Sequence, residues 1–105
     1  MTEISVADLK AKRDAGDSFV LLDVREPDEL QTAAIDGATA IPMMEIPQRF
    51  AELEKSVDIV VMCHHGGRSA RVTQFLNDQG YDRAVNLDGG INAWSEHIDA
   101  SIPRY

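Results

Sequence analysis

The only cysteine of the chain, Cys63, stands where an apolar run, Ile59-Val60-Val61-Met62, meets a polar turn, His64-His65-Gly66-Gly67-Arg68. Ser69 then opens a stretch with helical spacing. A strand that delivers a thiol to the start of a helix favours the thiolate. The first helical turn presents unpaired backbone N–H groups and a partial positive charge. Such surroundings bring a cysteine pKa from about 8.5 into the range of roughly 3.5 to 7.5. Gly66 and Gly67 permit positive φ and close backbone approach. Successive N–H groups can then curl into an anion-binding nest. Arg68 adds a permanent cation whose fork of donors suits sulfate-like or phosphate-like oxygens, and Ser69 is placed to cap the helix behind the nest. A second sulfur carried on Cys63, a persulfide, would be stabilised by the same N–H groups as the thiolate.

Each of these residues also has a plainer reading. A lone cysteine at the end of an apolar strand is ordinarily buried and inert; the glycine pair, Arg68 and the helix start set this one apart. His64 and His65 next to Cys63 raise the question of a metal. Adjacent ligands in so tight a turn can hardly close a tetrahedral site, and only His97 is left as a fourth candidate. The two histidines are read instead as shaping the loop and adding positive potential when protonated. No metal and no cofactor is expected. Arg71, one helical turn further in, is read as solvated. Asp23, Arg25, Glu26 and Glu29 are read as a salt-bridge cluster that fixes the segment after Leu22, and Ile91 and Trp94 as core.

Strand-like and helix-like segments alternate around this turn. Ser5 caps a helix through Ala15 that stops at Gly16. Phe19 to Leu22 reads as a buried strand, and Pro27 opens a short helix. Thr39 to Ile41 is a strand closed by Pro42. The spacing of Ile46, Phe50 and Leu53 predicts a helix from about Met44 to Lys55. Ile59 to Met62 is the next strand, followed by a helix from Ser69 to Gly80, a strand from Ala84 to Leu87 and a helix from Ile91 to about His97. Continuous apolar strands alternating with helices imply a mostly parallel sheet of about five strands covered on both faces. Ligands of such sheets bind beyond the carboxyl ends of the strands, which is where Cys63 lies.

The chain has 105 residues and suits one domain spanning 1–105. Its net charge of −8 argues against general nucleic-acid binding. Yet no acidic residue falls between Asp58 and Asp78, where His64, His65, Arg68 and Arg71 cluster. An acidic protein with one locally basic turn suits a small anion at that turn. No run approaches the ~20 apolar residues of a membrane span, and the N-terminus lacks the pattern of a signal peptide. A cytoplasmic location is expected, consistent with one cysteine and no internal disulfide.

Four segments together resemble the rhodanese family. Leu21-Leu22-Asp23-Val24-Arg25-Glu26-Pro27-Asp28-Glu29-Leu30 is similar to its early strand–loop–helix signature. Ile35-Asp36-Gly37-Ala38 followed by Ile41-Pro42 resembles its central segment. Cys63-His64-His65-Gly66-Gly67-Arg68-Ser69 resembles its active-site loop, and Leu87-Asp88-Gly89-Gly90-Ile91-Asn92-Ala93-Trp94 its C-terminal signature. One departure stands out: Ala33-Ala34 occupy the place where family members often carry Gly-His. The resemblance implies an α/β three-layer sandwich and thiosulfate-type sulfurtransfer. Cys63 would take sulfur from a small anionic donor as a persulfide and pass it to cyanide or to a thiol, including a protein thiol. His64, His65, Gly66, Gly67, Arg68 and Ser69 would bind donor and persulfide. Two other functions fit parts of the pattern. A sulfur-carrier module would use the same persulfide to supply a protein partner. A cysteine phosphatase or arsenate reductase needs a wider loop than the four residues between Cys63 and Arg68.

Overall fold

The computed structural model describes residues 1–105. One sheet of five strands runs through it in the order β1-β5-β4-β2-β3. The strands are β1 (Glu3–Ile4), β2 (Phe19–Asp23), β3 (Thr39–Ala40), β4 (Asp58–Met62) and β5 (Ala84–Leu87). Every pairing is parallel. Helices α1 (Val6–Asp14), α2 (Pro27–Thr32), α3 (Ile46–Arg49) and α4 (Gly67–Asp78) fill the connections, and α5 (Gly90–His97) follows the last strand. This is the α/β three-layer sandwich expected. No helix is long and apolar enough to cross a membrane.

The period of two along β4 sorts its side chains between two cores. Ile59, Val61 and Cys63 join Leu22, Val24, Ile46, Val72, Leu76 and Tyr81 on the face covered by α3 and α4. Val60 and Met62 join Leu9, Leu21, Leu87, Ile91 and Trp94 on the face covered by α1 and α5. Both faces of β4 are therefore dry, which explains its unbroken apolar run. Ile91 and Trp94 are core residues, as read from their spacing. In register, Val61 lies opposite Leu22 on one side and Asn86 on the other. The residues that follow β2, β4 and β5 thus emerge side by side at one edge.

Three details depart from the sequence reading. The first strand, Glu3–Ile4, has no apolar run to announce it; it is two residues long and pairs with β5. The helix expected over 44–55 is a short α-turn, Ile46–Arg49, between 3-10 turns at Met43–Glu45 and Phe50–Glu52. Pro47 removes one N–H from that segment. The Tyr81 hydroxyl, 2.9 Å from the carbonyls of both Phe50 and Leu53, satisfies its C-terminal end from outside. Finally, Ser69 is not the cap of α4. The cap position is Gly66, at φ 117°, and the helix begins at Gly67. Only a residue tolerant of positive φ can make that turn, and a cap without a side chain leaves the first N–H groups of α4 to other acceptors.

Candidate active site

Cys63 follows β4 directly and is 1% exposed, beneath the turn that enters α4. The Gly66 N–H donates to Sγ at 3.1 Å, and the Ser69 hydroxyl lies 3.3 Å from it. Burial pushes the thiol pKa up. The Ser69 hydroxyl and the backbone N–H groups of Ser69, Gly66 and Arg68 outweigh it, and the net effect holds Cys63 below its ordinary value. Ser69, misplaced as a cap, therefore acts one turn further in, on the sulfur itself. Its single proton has two acceptors, Sγ and Asn86 Oδ1 at 2.5 Å, and a negative sulfur competes for it more strongly.

The loop keeps its N–H groups inward because its carbonyls are bound elsewhere. Cys63 and His64 carbonyls accept from the Ile91 and Asn92 N–H groups at 3.0 and 3.1 Å, at the start of α5. The Gly66 carbonyl accepts from Asn86 Nδ2 at 3.3 Å. Asn86 is itself 1% exposed and donates to Glu3 as well. Gly90 makes the α5 contact possible: at φ 59°, a Cβ there would sit 2.5 Å from the carbonyl oxygens of Cys63 and His64. The sequence reading singled out neither Asn86 nor a loop contact for Gly90. Both depend on β5 lying beside β4, which no local pattern reveals.

Arg68 does not stand free beside the sulfur. Its Nη1 and Nη2 donate to the two oxygens of Glu29 at 2.7 and 2.8 Å. Glu29 comes from α2, whose own start is closed by reciprocal bonds between Glu26 and Glu29. The guanidinium holds the Glu29 carboxyl down to about 2, and Arg68 is raised in turn. The two-oxygen grip leaves other Arg68 N–H groups uncommitted. Arg25, next to this pair, is fully buried and bound to Asp23 at 2.7 Å and to the Ala33 carbonyl at 2.7 Å. Of the salt-bridge cluster expected after Leu22, Asp23 and Arg25 form an ion pair, whereas Glu29 pairs with Arg68 of the cysteine loop and Glu26 caps α2 without an ion pair.

His64 and His65 pack ring on ring, 4.0 Å apart. Burial, followed by the neighbouring His65, lowers the His64 pKa and so favours its neutral ring. His64 therefore lends shape rather than charge near neutrality. Gly67 opens α4 with open space around its Cα, so of the two loop glycines it is Gly66 whose backbone demands glycine.

The chain is similar to known proteins in sequence and fold. The model of the rhodanese-like domain matches residues 5–97. A sulfurtransferase of Allochromatium vinosum is 37% identical over 97 residues, covering 92% of this chain and 91% of its own. A putative sulfurtransferase, YtwF, of Bacillus subtilis is 40% identical over 92 residues, covering 88% of each. The solved structure of a rhodanese-related protein from Thermoplasma volcanium superposes with a TM-score of 0.85 at 36% identity, over 93% of this chain and 94% of that one. That match over residues 5–97, with relatives of such identity and coverage, places the chain in the rhodanese-like domain family.

Proposed function

We propose that the protein is a sulfurtransferase that carries sulfane sulfur on Cys63, with thiosulfate or a similar small anion as donor. The observation that carries this reading is the sulfur itself, held by the Gly66 N–H and the Ser69 hydroxyl at the mouth of α4. The relatives named sulfurtransferases support the reaction class.

In the first step the Cys63 thiolate attacks the outer sulfur of thiosulfate. The new S–S bond forms as the S–S bond of the donor breaks, sulfite leaves with the electron pair, and the persulfide keeps one negative charge. In the second step cyanide or a thiolate attacks the outer sulfur. Thiocyanate or a new persulfide leaves and the Cys63 thiolate returns. No proton has to move in either step when nucleophile and acceptor are already anions. The inward N–H groups meet the charge throughout, and the uncommitted N–H groups of Arg68 are left to bind the incoming donor. The chain holds no second cysteine, so the bound sulfur leaves to an external acceptor. One domain over 1–105 in the cytoplasm suits this role. The short loop, four residues from Cys63 to Arg68, favours a sulfur atom over a tetrahedral phosphoryl group.

Intact mass spectrometry after thiosulfate treatment tests the reading. One sulfur, about 32 Da, should add at Cys63 and disappear on adding cyanide. Cys63→Ser should abolish both the adduct and turnover while leaving the unfolding midpoint nearly unchanged. Unaltered turnover in that variant would overturn the mechanism. Efficient release to a protein thiol with slow release to cyanide would identify the carrier form of the same chemistry.

A further inference from the structure

The segment after α5 returns along that helix towards the cysteine loop. The Ser95 hydroxyl donates to the Ile102 carbonyl at 2.6 Å, and Arg104 lies 3.5 Å from Glu96. Ile102 packs against the core on the α5 face. These anchors bring Tyr105 over the loop. Its ring lies flat on His64, with centroids 3.9 Å apart and planes 4° from parallel. Its hydroxyl accepts from Arg25 Nη1 at 2.9 Å and donates to Glu29 Oε1 at 2.9 Å.

One side chain therefore reaches both ends of the cysteine loop, His64 directly and Arg68 through Glu29. The ring holds His64, the residue after Cys63, which also packs at a tilt of 36° on His65. The hydroxyl holds Glu29, whose oxygens grip Arg68 at the far end of the loop. Tyr105 is 41% exposed, so burial of its own surface is a minor reason for its placement. A flat aromatic contact and two hydrogen bonds to charged groups are a strong set of constraints for a surface side chain.

We propose that Tyr105 is a positioning residue for the sulfur-binding loop. It acts through His64 and Glu29, keeping the loop in the closed curve that aims its N–H groups at Cys63 Sγ. This rests on the loop being the sulfur site, but its first consequence is a property of the thiol alone. Without Tyr105 the two ends of the loop move independently, the N–H groups spend less time on sulfur, and the thiolate loses stabilisation. The charged and titratable groups around the loop are His64 and His65 within it, Arg68 on α4, Glu29 on α2, Arg25 after β2 and Tyr105 itself.

The test is the pH dependence of Cys63 alkylation by iodoacetamide, with amide hydrogen exchange across 63–69, in the wild type, Tyr105→Phe and Tyr105→Ala. In Tyr105→Ala the inflection should move up by about half a pH unit or more. Alkylation below the inflection should slow about threefold or more, and loop amides should exchange faster. Tyr105→Phe keeps the stack and loses the hydroxyl, so it should fall between the other two. An unchanged inflection, a downward one, or a lower melting temperature with wild-type inflection and loop exchange would each overturn the proposal. Should Tyr105→Ala fail to fold, Tyr105→Phe still decides: its inflection must rise. Because alkylation needs no sulfur donor, failure to form a persulfide would overturn the sulfurtransferase reading and leave this result standing.

Discussion

Two arginine–carboxylate pairs lie side by side at the carboxyl edge of the sheet, and they differ in what surrounds them. Arg25 and Asp23 have fully buried side chains and sit two residues apart at the end of β2. Arg68 and Glu29 come from different helices, with side chains 32% and 17% exposed. The first pair ties the chain to itself; Arg25 also takes the Ala33 carbonyl, closing the segment that contains α2. The second joins α2 to the cysteine loop. The hydroxyl of Tyr105 bridges the two. A buried pair is expensive to break because the partner is left charged without water, whereas a half-wet pair can open and re-form. The buried pair thus fits a fixed support, and the other a cation that can share its donors with a ligand.

Breaking the buried pair should have the largest effect. Arg25→Leu leaves the Asp23 carboxylate unpaired and should cost about 3–5 kcal/mol in denaturant unfolding. A cost under about 1 kcal/mol would erase the distinction between the pairs. Arg68→Ala should reverse the balance. Its unfolding free energy should fall by about 1 kcal/mol, while kcat/KM for thiosulfate drops roughly 10- to 100-fold, as expected for one lost charged hydrogen-bonding group. A large melting shift with normal kinetics would make Arg68 a second structural arginine. The smallest effect is in acid. The Glu29 carboxyl is held near 2 by Arg68, below its ordinary 4.5. A depressed carboxylate contributes stability that is complete above the ordinary value and is lost as pH falls through the folded one. The stability difference between the wild type and Glu29→Gln should therefore narrow between about pH 4.5 and 2. A difference that stays constant across this window would show that the pair adds nothing through charge.

The contrast also shows what a sequence can and cannot convey. Asp23 and Arg25 are two positions apart after an apolar strand, and their clustering is visible locally. The cysteine, its glycines and the helix behind them are contiguous, so the candidate site could be read from one short segment. Glu29, Asn86, Gly90 and Tyr105 reach the loop only because β5 and β2 flank β4, and strand order leaves no local trace. Ser69 reads as the cap of α4, and that role falls to Gly66 instead. Gly66 and Ser69 are both acceptable caps, and only the left-handed φ of Gly66 chooses between them. The 44–55 segment departs from its helical spacing for a similar reason, since the Tyr81 hydroxyl that meets its last carbonyls lies more than a helix away in sequence.

The grip of α5 on the Cys63 and His64 carbonyls bears on when the site comes into being. The donors, Ile91 and Asn92, are made 28 residues after the carbonyls they hold, and β5 must insert beside β4 before they can arrive. During synthesis the Cys63 and His64 carbonyls therefore stay without their Ile91 and Asn92 partners until α5 docks on the loop. On the sulfurtransferase reading proposed above, the loop gains its full hold on Cys63 only in the completed fold.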